Sequence, residues 1–187
     1  MNNSIIGVIT DSKGFTWFST RTGLQLYNGY SLQTITPVAD GDTMHINYPV
    51  YLSKGKGNNI LIGCRNSILV YSPGNSSFKK ITPAIGLIRS SFAIEPLKET
   101  SEGIWCLTEK NGIIVCNTNG IIVKQFSSLE ITSSVEDMIH SQWIYPGKTF
   151  TANDDFIFIR VSLNSILKLK WGTHQLRTLY FPGPPIL

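Results

Sequence analysis

Residues 14–30 read GFTWFSTRTGLQLYNGY, and this stretch decides the fold. Residues 15–20 are rich in aromatic side chains and threonine, and residues 24–27 form a second short apolar run, which is the composition of two β-strands. Arg21-Thr22-Gly23 forms the turn between them. Asn28-Gly29 follows as a hairpin signal, because both residues accept a positive φ at little cost. The stretch therefore predicts three antiparallel strands, the third beginning near Ser31.

The same pattern recurs three more times along the chain. The second strand of this hairpin, residues 24–28, has counterparts at residues 68–72, 113–117 and 166–170. Each unit also has an apolar strand upstream of its hairpin and another strand downstream. Four strands in every repeat of about 45 residues is the period of a β-propeller blade. The sequence thus predicts an all-β chain and a single partial β-propeller over residues 1–187. Its blades of four antiparallel strands are expected at approximately 4–36, 47–82, 92–126 and 135–181.

The composition of the strands agrees with blades that pack against one another. Ile60-Leu61-Ile62 and Ile113-Ile114-Val115 are uninterrupted apolar runs, as expected of strands covered on both faces. A helical spacing of apolar residues is sustained nowhere in the sequence. A β-sandwich would also give short strands with frequent turns, but the regular internal repeat favours a propeller.

Charge and hydropathy limit the classes of partner. With 42% apolar and 15% charged residues, the 187-residue chain is globular. The net charge of +4 comes from scattered residues, with Lys79-Lys80 as the only adjacent basic pair, so we expect no nucleic-acid partner. No apolar run is long enough to span a membrane, and the first residues do not begin a signal peptide. The chain is therefore expected to be cytosolic, or exported by a signal that lies outside this sequence.

Residues that could perform catalysis or hold a metal are sparse. Cys64, Cys106 and Cys116 have no metal-binding spacing, and we expect three free, buried thiols, the last two on neighbouring strands. The three histidines fall in different segments. The acidic turn Asp40-Gly41-Asp42 lacks the further ligands of a calcium loop. We therefore expect no catalytic residues, no metal and no cofactor.

The first repeat carries a more specific signature. Residues 9–20, ITDSKGFTWFST, followed by Gly23-Leu24 and by YNGY at residues 27–30, resemble the two-component regulator propeller repeat. The third repeat keeps Gly103-Ile104-Trp105 and Gly112-Ile113 from that pattern. Departures from it in the first repeat are Ser19, Gln25 and Asn28.

This resemblance implies a periplasmic sensor. In that family, propellers precede a membrane helix, a histidine kinase and a DNA-binding response regulator in hybrid regulators of Bacteroides-type bacteria, and they sense carbohydrates, often oligosaccharides. It implies a carbohydrate ligand, no enzymatic activity in this chain, and membrane attachment only through a segment outside it. The alternatives are a propeller enzyme, such as a polysaccharide lyase or a glycosidase, and a scaffold that binds another protein.

A ligand-binding face can be predicted from the order of the strands. In a propeller, the turn between the second and third strands of a blade and the loops between blades open on the same face. Basic, amide and hydroxyl groups there suit an acidic or hydroxyl-rich ligand. The turns supply Arg21, Arg65, Asn66 and Lys110, and the loops supply Thr43, His45 and Ser90. Trp17 and Trp105 are expected in the core.

The number of repeats raises the question of closure. Four complete blades share no strand between the chain ends, so the end blades would expose apolar faces. We expect an open arc whose ends are covered by a second copy, a homodimer that could form a two-fold pseudo-ring of eight blades. The alternative is a tight ring of four blades.

Overall fold

A computed structural model of the chain describes residues 4–20, 22–44, 46, 51–84, 94–108, 111–126, 149–151, 156–160, 165–170 and 175–180. Within these residues the chain is all-β and forms four sheets in chain order, built almost wholly from antiparallel strand pairs. Among the described residues, no helix has the length and apolar character needed to cross a membrane.

The first sheet contains the strands predicted from the opening stretch. Its order is the order of the sequence, and each strand begins and ends within a residue of its predicted bounds. The strands are β1 (Ile5–Thr10), β2 (Thr16–Thr20), β3 (Gly23–Tyr27) and β4 (Leu32–Ile35). The hairpin predicted from Asn28-Gly29 joins β3 to β4, and Gly29 has a positive φ whereas Asn28 does not. The Asn28 carboxamide oxygen instead accepts hydrogen bonds from the backbone N–H of Tyr30 at 3.0 Å and of Ser31 at 2.9 Å.

The second sheet has six strands where four were expected. Its strands are β5 (Val38–Ala39), β6 (Asp42–Thr43), β7 (Tyr51–Lys54), β8 (Ile60–Gly63), β9 (Ile68–Ser72) and β10 (Ser77–Ile81). The order is β6-β5-β10-β9-β8-β7, with β5 parallel to β10. The acidic turn is therefore the tip of a hairpin at the outer edge of this sheet. Asp40 and Gly41 both have a positive φ, as a two-residue type I′ turn requires.

The third and fourth sheets return to four strands in sequence order. The third contains β11 (Ile94–Glu99), β12 (Ile104–Thr108), β13 (Gly112–Cys116) and β14 (Ile122–Phe126). The fourth contains β15 (Thr149–Thr151), β16 (Phe156–Arg160), β17 (Ser165–Lys170) and β18 (Gln175–Tyr180). The fourth sheet begins at β15, and residues 135–148 of the fourth predicted blade lie outside the described residues.

The second sheet is covered on both faces, as its uninterrupted apolar run at residues 60–62 predicts. On one face, Ile60 and Ile62 of β8 pack with Trp17 of the first sheet. Between them on the same strand, Leu61 faces the other way and packs with Ile104 of the third sheet. Trp17 is 1% exposed, and its ring centroid lies 4.5 Å from that of Tyr71. The tryptophan is thus a core residue, as expected.

The turn between β1 and β2 explains the Asp-x-x-Gly-x-x-Trp spacing of the first repeat. One carboxylate oxygen of Asp11 accepts the backbone N–H of Lys13 at 2.9 Å and of Phe15 at 3.0 Å. The other accepts the indole N–H of Trp17 at 2.9 Å. Gly14 takes a φ of +83° between them. The buried Asp11 carboxylate therefore closes the turn and also fixes the position of the Trp17 indole in the core.

Three strands, one from each of the first three sheets, lie beside one another. β1 lies next to β7, and β7 lies next to β11. Gly7 of β1 faces β7, because a Cβ built on it would contact Leu52 at 3.8 Å. Among the described strands, no hydrogen-bonded pairing joins the first sheet to the fourth.

Candidate ligand-binding face

The turns between the second and third strands of the first and third sheets share one construction. The hydroxyl of Thr20 donates to the carbonyl of Gly23 at 3.0 Å and accepts the backbone N–H of Thr22 at 3.2 Å. In the third sheet, the Thr108 hydroxyl donates to the Gly112 carbonyl at 2.9 Å and accepts the Asn111 N–H at 3.0 Å. Both threonines are buried, so each turn is held from inside.

The equivalent turn of the second sheet uses the backbone instead. Cys64 occupies the place of the threonine, and its N–H donates to the carbonyl of Ser67 at 2.9 Å. Asn66 has a φ of +60°, a left-handed conformation that asparagine tolerates better than most residues. Arg65 and Asn66 are exposed at the tip of this turn.

The chain segments that enter the next sheet lie at this same end. The carbonyl of Ile46, in the segment between β6 and β7, lies 3.2 Å from the position that a Cβ on Gly23 would take. In the second sheet, the carbonyl of Cys64 accepts the N–H of Ile94, the first residue of β11, at 3.2 Å. We call this end, with the turns at residues 21–22, 64–67 and 109–111, the turn face.

The predicted ligand residues fall partly within the described chain. Arg65 and Asn66 lie on the turn face, and Thr43 is exposed on β6. Outside the described residues lie Arg21, His45, Ser90 and Lys110. Ligand binding by all of these residues stays a prediction.

Sequence reasoning missed Asn111, which lies in the third of these turns. Its carbonyl accepts the side-chain amide of Gln125 at 3.3 Å, and its N–H is bonded to Thr108. Its side-chain Nδ2 is buried and has no hydrogen-bond acceptor within the part of the chain that the structure describes. A buried amide donor left without an acceptor costs about 1–3 kcal/mol. The signal in the sequence was its position, next to Lys110 in the turn that matches Arg65-Asn66.

A buried thiol and exposed hydrogen-bond donors lie at the turn face. Burial raises the pKa of the Cys64 thiol to about 12, although the Lys80 ammonium opposes this, so the thiol is neutral at physiological pH. Within the described ranges, no three His, Cys, Asp or Glu side chains lie close enough together to hold a metal ion. The described tips of the turn face carry the Thr22 hydroxyl, the Arg65 guanidinium and the Asn66 and Asn111 carboxamides, groups that can donate hydrogen bonds to oxygen atoms of a ligand.

The buried cysteines of the third sheet lie away from this face. Cys106 and Cys116 are fully buried and reduced on β12 and β13, as predicted. The register places Cys106 opposite Ile114 and Cys116 opposite Ile104, so the two thiols are diagonal neighbours. Burial raises the pKa of the Cys106 thiol well above its usual value. These residues are therefore small core side chains.

The fold is similar to that of three solved structures. The extracellular domain of BT3049 from B. thetaiotaomicron, a protein described as a hybrid two-component system, matches 98% of this chain with a TM-score of 0.66 and 17% identity. The extracellular domain of BT4673 from the same organism matches 95% of the chain with a TM-score of 0.61 and 17% identity. Another structure of BT4673, described there as a one-component system, matches 95% with a TM-score of 0.60 and 16% identity.

These similarities concern the fold. This chain spans about a quarter of the length of each of those three domains, 25% in every case. No protein-family model matches the sequence, and no curated protein matches it.

Proposed function

We propose that this chain is a ligand-sensing segment of the extracytoplasmic region of a hybrid two-component regulator. The observation that carries the proposal is the similarity in fold, over almost the whole chain, to extracellular domains of proteins described as such systems. The two-component regulator propeller signature of residues 9–30 supports the same family from the sequence side. In this proposal the chain is periplasmic, has no catalytic activity, and passes its signal to a kinase and transcription regulator encoded elsewhere in the polypeptide.

A partial β-propeller is the architecture that we propose for the four sheets. A β-sandwich would have two sheets, whereas this chain has four, arranged in sequence order. Stacked blades are also supported by the adjacency of β1, β7 and β11, which come from three successive sheets. The burial of the second sheet on both faces agrees with this arrangement. The hairpin of β5 and β6 is then an addition to the outer edge of the second blade.

The ligand that we propose is a carbohydrate bound at the turn face. Hydroxyl and carboxylate oxygens of a sugar accept hydrogen bonds, and the exposed Arg65 and Asn66 supply donors. Arg21, His45 and Lys110 belong to the proposed site by their place in the sequence. Asn111 adds a buried donor at its base. The alternatives are a propeller enzyme that cleaves the same class of ligand and a protein-binding scaffold.

Titration of the protein with a panel of neutral and acidic oligosaccharides, followed by calorimetry, tests this proposal. For the best ligand, Arg65→Ala and Asn66→Gly should each weaken binding by about tenfold, since a hydrogen bond to a charged group or to a ligand oxygen is worth about 1.5 kcal/mol. Glycine is the suitable replacement at position 66 because it preserves the left-handed φ. Lys79→Ala, which removes an exposed cation from β10, is the control and should leave binding unchanged.

Three results would contradict the proposal in different ways. Absence of binding across the whole panel would refute carbohydrate sensing by this chain. Cleavage of the bound oligosaccharide, detected by chromatography of the products, would favour the enzyme. If Lys79→Ala weakened binding as much as Arg65→Ala does, the ligand site would not be the turn face.

A further inference from the structure

The loop between β3 and β4 brings together the groups that take part in the deamidation of asparagine. An asparagine followed by glycine loses ammonia when the backbone nitrogen of the glycine attacks the side-chain carboxamide carbon, since glycine has no Cβ to obstruct the approach. Such pairs occur in this chain at residues 28–29, 111–112 and 119–120. The three pairs are identical in sequence, so a difference in their reactivity comes from their surroundings in the fold.

The electrophile is the carboxamide of Asn28. Its oxygen accepts hydrogen bonds from the backbone N–H of Tyr30 at 3.0 Å and of Ser31 at 2.9 Å, and from the Ser31 hydroxyl at 3.4 Å. When the Gly29 nitrogen attacks, this oxygen becomes the oxyanion of the tetrahedral intermediate. Donors that are already placed around an oxygen atom stabilise the negative charge that develops on it. The loop therefore activates the Asn28 carboxamide for attack.

The attacking nitrogen is accessible only in the first of these pairs. Gly29 is exposed, and its N–H has no acceptor among the residues that the structure describes. Gly120 is buried, and its N–H donates to the carbonyl of Asn117 at 2.9 Å. Gly112 is also buried, and so is the Nδ2 of Asn111, the atom that would leave as ammonia. The fold thus singles out Asn28.

The exposure of this loop follows from its place at the end of a sheet. The equivalent loops of the second and third sheets are exposed at residues 74–76 and 118–119. The second sheet is covered on both faces, yet its loop remains exposed. A further sheet packed on the first one would therefore leave the β3–β4 loop open to solvent.

The third sheet contains the same cap without the glycine. Asn117 holds the position of Asn28 in the repeat, and its carboxamide oxygen accepts the N–H of Asn119 and of Ile121, both at 3.0 Å. The residue that follows it is Thr118, whose side chain obstructs the backbone nitrogen. The chain therefore offers a cap with glycine at 28, a cap without glycine at 117, and glycine with an occupied N–H at 119.

We propose that Asn28 is a site of spontaneous deamidation in the folded protein. The Gly29 nitrogen gives its proton to hydroxide and bonds to Cγ of Asn28, the Cγ–Nδ2 bond breaks, and ammonia leaves a cyclic succinimide. Water then opens the ring at one carbonyl to give aspartate or at the other to give isoaspartate. The net charge falls by one from +4 in either case. Isoaspartate also adds a methylene to the backbone between β3 and β4, which should open the terminal Tyr27–Leu32 pair.

Incubation of the protein at mildly alkaline pH, followed by peptide mapping with mass spectrometry, tests the site. In the folded protein, residue 28 should deamidate at least about tenfold faster than residue 119, because the loop supplies the oxyanion donors and leaves the nitrogen free. In urea the two Asn-Gly pairs should react at similar rates, since the fold no longer distinguishes them. The rate at residue 28 should rise with pH, because the nitrogen attacks after losing its proton.

Two variants separate the parts of the argument, and circular dichroism checks that each is folded. Thr118→Gly places an exposed glycine after the capped Asn117 and should make residue 117 reactive. Asn28→Gln lengthens the side chain by one methylene and should leave residue 28 intact.

Equal rates at residues 28 and 119 in the folded protein would overturn the proposal. So would an intact residue 28 under conditions in which the denatured chain reacts, or a folded Thr118→Gly protein in which residue 117 stays intact. The proposed sensing function is independent of this result, because the loop lies at the opposite end of β3 from the turn face.

Discussion

Replacement of Asp11 by alanine should destabilise the chain more than the loss of any other described carboxylate. Asp11 is 8% exposed and accepts three hydrogen bonds, two from the β1–β2 turn and one from the indole of Trp17. After the substitution the indole N–H, on a side chain 1% exposed, has lost its acceptor, which costs about 1–3 kcal/mol. The two backbone N–H groups are closer to solvent and cost about 0.5–1.5 kcal/mol each. The total is roughly 2–6 kcal/mol, a large part of the stability of a typical domain.

Urea denaturation followed by tryptophan fluorescence measures this loss as a shift of the midpoint at constant slope. Asp42→Ala, which removes an exposed carboxylate from β6, is the control and should stay within about 0.5 kcal/mol of wild type. A double-mutant cycle with Trp17→Phe isolates the indole contact, and we expect a coupling energy of about 1–2 kcal/mol. An Asp11→Ala variant that is as stable as the Asp42→Ala control would refute the role assigned to this carboxylate. A coupling energy near zero would refute the indole contact alone.

Three further predictions concern packing, the turn face and pH. Gly63→Ala should cost about 3 kcal/mol, because its Cβ would overlap the Ile94 carbonyl and the Pro96 ring, while Gly74→Ala, which meets nothing within 4 Å, should be neutral in the same urea titration. Thr108→Val should cost about 1–3 kcal/mol by removing a buried hydroxyl that both donates and accepts, and Thr108→Ser should retain most of the stability. The Cys64 pKa, raised to about 12 by burial, means that the folded thiol stays protonated where the unfolded thiol ionises, so stability should fall as pH rises from about 9 toward 12. In Cys64→Ala, the free energy of unfolding should fall less steeply with pH over this range, by up to about 1.4 kcal/mol per pH unit. The same pH dependence in the variant and the wild type would contradict a raised pKa for the Cys64 thiol.

The strands could be predicted from sequence because each is a compact run of β-branched and aromatic residues repeated at a nearly constant interval. Residues 68–72 were predicted as a strand, and β9 has those bounds. The hairpin of β5 and β6 was missed because each strand has only two residues, too few for any periodicity. Strands β15 to β18 fall within the fourth predicted blade, 135–181, and residues 135–148 of that blade lie outside the described residues.

The side-chain roles were harder to predict than the strands. Asn28-Gly29 was correctly predicted to mark a hairpin, but the cap that the Asn28 carboxamide makes on the loop was not predicted. The buried Nδ2 of Asn111 depends on how the third turn folds over it, which no local pattern encodes. Burial of the two tryptophans followed correctly from their place in central strands, because such strands pack on both sides.

The two ends of the sheets differ in how their polar groups are used, and this difference supports the turn face as the place of ligand specificity. At the opposite end, polar side chains hold the fold. Asp11 clamps Trp17, Thr100 takes the same place for Trp105 at 3.1 Å, and Glu99 accepts the N–H of Lys56 from the neighbouring sheet at 2.8 Å. Substitution at any of these positions would disturb the packing.

At the turn face, groups that face inward hold the turns. Buried threonine hydroxyls close the first and third turns, and a backbone hydrogen bond closes the second. The tips between them read Arg-Thr, Arg-Asn and, after Glu109, Lys-Asn at residues 21–22, 65–66 and 110–111. Each tip therefore carries one cation beside one hydroxyl or carboxamide. We expect Arg65→Ala and Asn66→Gly, of which the second retains the left-handed φ at position 66, to weaken ligand binding while the protein stays folded, and a circular-dichroism spectrum of each variant checks the fold.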